Sequence, residues 1–152
     1  MKKKIDELCE NLSDFLDISL LPVKFDKMGN DDSRLSVKDN CVLINEKLKD
    51  NYLELIKAVT HEYRHAWQLF YVYENNDSIA KRWKEELTTY HSGSNSNDYF
   101  LQAIEVDAFA FTKYYLKRFL DIDVVNNVTG LDKILDQYIK KNMNLLELDK
   151  EY

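Results

Sequence analysis

Residues 51–74 constrain the fold more than any other stretch of this chain. They contain neither glycine nor proline and read as one long helix. Advancing about 100° per residue, Ile56, Val59, Tyr63, Ala66, Trp67 and Phe70 fall on one apolar face. Ala58, His61, His65, Leu69 and Val72 fall on roughly the opposite side, near Glu62, and only Lys57, Thr60, Arg64 and Gln68 form a polar strip. A surface helix shows a single apolar stripe. This one requires cover on two sides, as a helix lying under a cleft does.

The same helix carries His61-Glu62-Tyr63-Arg64-His65. Side chains four apart project from one face, one turn apart, so His61 and His65 can offer two imidazole nitrogens to one Zn²⁺. Glu62 lies beside them on the helix surface, placed to take a proton from a water rather than to ligate. Two ligands and a general base on one rigid element is the mechanical content of H-E-x-x-H.

A catalytic zinc takes three protein ligands and keeps one position open. Glu105 is the candidate third ligand. It sits in Leu101-Gln102-Ala103-Ile104-Glu105-Val106-Asp107-Ala108, an apolar helical stretch in which an unpartnered carboxylate would be costly. The alternative for Glu105 is a structural ion pair or a surface position. Asp107, two residues on, points nearly the opposite way from Glu105 on a straight helix, so a fourth-ligand role is not expected. It could instead pair with Arg64 and brace the site, and a surface position for it fits equally well. His91, Tyr90 and Tyr99 flank the polar stretch Ser92–Asn97 just before the Glu105 helix, which makes them positional candidates for stabilising an oxyanion, His91 foremost.

Around this centre the chain reads as one α+β domain over residues 1–152. Ile5, Leu8, Cys9, Leu12, Phe15 and Leu16 recur at helical spacing, giving an N-terminal helix over about 3–17. Val23-Lys24-Phe25, Leu35-Ser36-Val37 and Cys41-Val42-Leu43-Ile44 read as two or three antiparallel strands, with Lys38-Asp39-Asn40 as a hairpin turn. Further helices are predicted at about 78–90, 98–120 and 130–141. Asn75-Asn76-Asp77 supplies N-cap side chains, and Thr129 with Asp132 resembles a capping box. Only three glycines and one proline in 152 residues favour this helical design over a turn-rich one.

A net charge of −6 without a clustered basic surface argues against nucleic acid as a partner, and no apolar run is long enough to span a bilayer. Lys2-Lys3-Lys4 is followed by Ile5-Asp6-Glu7 rather than an apolar signal-peptide core, so a cytoplasmic chain is expected. Two distant cysteines, Cys9 and Cys41, read as buried thiols that do not reach the metal.

His-Glu-Tyr-Arg-His followed by Glu105-Val-Asp-Ala-Phe-Ala-Phe resembles the gluzincin branch of the zincin metallopeptidases. It is most similar to the minimal gluzincins and the phage and mobile-element peptidases of the ImmA/IrrE type. The resemblance covers about residues 41–116 in order and spacing. It implies a zincin-like α+β fold: an N-terminal helix and a small antiparallel or mixed sheet, followed by a mostly helical half with the H-E-x-x-H helix and a Glu-bearing helix. It also implies a zinc metalloendopeptidase acting on a peptide or protein. His61, His65 and Glu105 would hold zinc, Glu62 would be the base, and the strand Cys41, Val42, Leu43, Ile44 and Asn45 would present an edge to an extended substrate. Phe109 departs from the pattern, since the ImmA/IrrE type often has Asn there and the gluzincin E-x-x-x-D pairing has Asp. Which group orients the histidines is thus open. The competing readings are a non-catalytic binding or regulatory module on the same scaffold, and a helical interaction protein in which the motif is accidental.

Overall fold

The first helix, α1 (Lys2–Leu16), forms on the stripe anticipated above: Ile5, Leu8, Cys9, Leu12, Phe15 and Leu16 are all buried. It stops at Asp17, whose left-handed conformation (φ 54°) lets its N–H reach back to the Ser13 carbonyl. The structure, a computed structural model, describes residues 1–89 and 101–148. Over these the chain is α+β, with six α-helices and a small mixed sheet, in two compact units, Met1–Lys81 and Arg82–Tyr152.

In the first unit, three short strands follow α1: β1 (Val23–Asp26), β2 (Ser33–Ser36) and β3 (Cys41–Asn45). The predicted hairpin is present, with β2 antiparallel to β3 and Ser36 opposite Cys41. Of the two expected forms, antiparallel or mixed, the sheet takes the mixed one: β1 runs parallel to β3, Val23 opposite Val42. The order is β1-β3-β2. Cys41–Asn45 therefore cannot be the edge strand expected to receive a substrate. It is the central strand, with backbone donors and acceptors committed to a neighbour on each side. Its faces are covered as well: Cys41, Val42 and Ile44 are buried, as a near-continuous apolar run in a covered strand should be. Asn45 closes the strand. Its amide donates to the carbonyls of Gly29 and Asp31, and its Oδ1 accepts from the Lys47 N–H.

A short 3₁₀ turn (Glu46–Leu48) leads to α2 (Tyr52–Glu74), capped by the Asn51 side chain, which accepts from the Glu54 N–H. Between Leu55 and Gln68 this helix is buried almost all the way round. The polar strip is largely buried as well: Thr60, Arg64 and Gln68 are all 0% exposed. Each has an identifiable contact. Thr60 Oγ1 donates to the Ile56 carbonyl, the Arg64 guanidinium stacks 3.9 Å over the Trp67 ring, and Gln68 meets His65. Phe70, placed on the apolar face by periodicity, is 53% exposed.

α3 (Ser78–Thr88) begins at Asp77, whose Oδ1 accepts from the Ala80 N–H. In the second unit, α4 (Ala103–Leu120) has no cap from its own N-terminal residue. Glu86 of α3 does that work, accepting from the N–H groups of Ala103 and Ile104 at 2.7 and 2.8 Å. A carboxylate there satisfies two orphan donors and meets the positive end of the helix dipole. Glu86→Ala is expected to cost about 1–2 kcal/mol, read as a lower urea midpoint at unchanged m-value. An unchanged midpoint would contradict the capping role.

α5 (Leu131–Lys141) packs Leu131 and Leu135 against Val106 and Ala110 of α4, with Phe109, Val128, Tyr138 and Ile139 around them. Its start corrects another expectation. Gly130, at φ 81°, is the N-cap, and Asp132 accepts from the backbone and side chain of Asn126 instead of closing a capping box with Thr129. A further short helix, α6 (Met143–Glu147), carried no signal strong enough to predict. No helix among the described residues is long and apolar enough to cross a membrane.

Candidate metal centre

The two histidines stand as their spacing requires. On the continuous α2 the rings of His61 and His65 lie 4.6 Å apart between centroids and nearly perpendicular. His61 is buried and His65 half-buried. The helix that carries them is fastened from the motif itself. Tyr63, 0% exposed, donates its hydroxyl proton to the Leu21 carbonyl at 2.7 Å and accepts from the Leu21 N–H at 2.9 Å. Burial pushes this phenol well above its ordinary range, so it serves as a neutral donor and acceptor at any physiological pH.

Glu62 is buried, and its carboxylate accepts a 2.6 Å hydrogen bond from Ser33 Oγ at the start of β2. His65 Nδ1 lies 2.7 Å from Gln68 Oε1. Neither Ser33 nor Gln68 was found from the sequence. For Ser33 no signal exists, since a serine 29 positions upstream of Glu62 looks like any strand residue. For Gln68 there was one: it follows His65 at helical i,i+3 spacing, where two side chains can meet.

In the second unit, Glu105 and Asp107 lie near the start of α4, and both are 0% exposed. Asp107 Oδ1 accepts a 2.6 Å hydrogen bond from the Tyr138 hydroxyl of α5. Burial of Glu105 meets the expectation from its apolar surroundings. Each of His61, His65 and Glu105 could offer one ligand atom to a metal ion. Two imidazole nitrogens and one carboxylate oxygen form a donor set suited to zinc, and three of them leave one of its usual four positions for another ligand.

Comparison with family models, curated proteins and solved structures finds no match. The chemistry of the site thus rests on these residues. Cys9 and Cys41 are buried and free, as expected, and neither belongs to the group. His91, Tyr90 and Tyr99 lie outside the described residues, as does the Ser92–Asn97 stretch between them.

Proposed function

We propose that this chain is a zinc-dependent peptidase of zincin-like fold in which His61, His65 and Glu105 hold the metal and Glu62 is the general base. The observation that carries the reading is the pair of histidines one turn apart on α2, with an acid side chain directly following the first and with a fully buried carboxylate, Glu105, in the second unit. Zinc bound there supplies Lewis acidity, bringing a water toward ionisation near neutral pH and polarising a carbonyl.

The chain's own residues supply the remainder. Glu62 takes the proton from water and returns it to the leaving amine. Ser33 engages Oε2 of that carboxylate and so fixes its plane, leaving Oε1 to handle the proton. Tyr63 anchors the helix from within the motif, which holds the two imidazoles and the carboxylate to one geometry. β2 begins at Ser33 and is an edge of the sheet among the described residues, so an extended peptide pairing with its outer side would run close to Glu62. The free buried thiols support a reducing, cytoplasmic compartment.

Zinc stoichiometry tests this directly. Purified wild type is expected to carry about one zinc per chain, and His61→Ala, His65→Ala and Glu105→Ala to lose it while keeping the wild-type circular dichroism spectrum. Wild type without stoichiometric zinc would sink the reading. Zinc retained by Glu105→Ala would remove that residue from the ligand set.

A further inference from the structure

We infer that Gln68 is the residue that orients His65 for the metal, an inference that rests on the zinc-site reading above. Phe109 stands where a gluzincin-type pairing would have an Asp to orient one of the histidines. The structure places a different group against one of them. Gln68 Oε1 lies 2.7 Å from His65 Nδ1, both side chains come from α2, and Gln68 is 0% exposed.

The chemistry follows from what each atom can do. An amide oxygen only accepts, so the proton of this hydrogen bond belongs to Nδ1. A neutral imidazole carries one ring proton, and with that proton on Nδ1 its lone pair is on Nε2. The contact therefore selects the tautomer whose outer nitrogen can ligate, and it fixes the ring plane. Because both residues sit one turn apart on the same rigid helix, the orientation does not depend on any loop.

Two measurements on the full chain test the assignment. In zinc-free protein at about pH 8, where imidazole is neutral, long-range ¹H–¹⁵N NMR should show His65 protonated at Nδ1. Gln68→Met, which keeps length and loses the acceptor, should shift His65 toward the Nε2-protonated form. The same variant should bind zinc about 10–100-fold more weakly in a chelator competition, and Gln68→Glu, which keeps an acceptor oxygen, should stay near wild type. A side chain that merely fills space would show the reverse order, with Met tolerated and Glu not.

Wild type protonated at Nε2 overturns the inference without recourse to any variant. So does Gln68→Met with unchanged zinc affinity, whether or not its tautomer moves. Wild type that binds no zinc overturns the metal reading instead, and the tautomer measurement then still decides whether Gln68 sets the ring.

Discussion

Glu62→Gln is expected to keep its zinc and to hydrolyse fluorescein-labelled casein about 10²–10⁴-fold more slowly than wild type. The change is nearly isosteric and removes only the capacity to accept a proton. Ser33 Oγ can still donate to the amide oxygen that replaces Oε2, so the side chain keeps its place. His61 and His65 are untouched, and metal content should stay at the wild-type level. Hydrolysis within tenfold of wild type at full zinc loading would exclude Glu62 as the base. It would favour a binding or regulatory role for the same scaffold, because a purely structural metal needs no proton acceptor beside it.

The largest effect on stability is expected from Tyr63→Phe, which removes one oxygen and orphans two backbone groups. The Tyr63 hydroxyl satisfies both the N–H and the C=O of Leu21, itself buried. A buried polar group left unsatisfied costs about 1–3 kcal/mol, and here there are two, so a loss of about 2–4 kcal/mol is expected. That is a large share of the stability of an ordinary domain. It should be read from urea denaturation followed by circular dichroism, with the zinc-free form used so that metal binding does not mask the change. A loss below about 0.5 kcal/mol would mean that Leu21 finds other partners when the hydroxyl is gone.

How much of this was legible beforehand depended on whether the information was local. α1 and α2 were legible because their apolar residues recur with helical period, and the shared face of His61 and His65 because spacing on a helix is a local property. The burial of Glu105 was legible for a related reason: it sits in an apolar helical stretch, and it is fully buried. What failed was long-range or depended on neighbours. Nothing in Cys41–Asn45 distinguishes an edge from a central strand, because that is decided by where Val23–Asp26 pairs. Nothing in the polarity of Thr60, Arg64 and Gln68 reveals their burial, which the partner of each makes tolerable. Thr129 and Asp132 matched a capping pattern, but Gly130 could adopt the positive φ that moved the cap one residue on.

The sheet order also bears on how the chain is made. Among the described residues β1 pairs with β3 alone, and β3 lies later in the sequence, beyond β2. As the polypeptide leaves the ribosome, β1 must therefore wait as a strand without a partner until the hairpin that follows it has been synthesised. A bare strand in a nascent chain invites pairing with other chains. Lys24 and Asp26, two charges in a strand of four residues, are suited to discourage that during the wait.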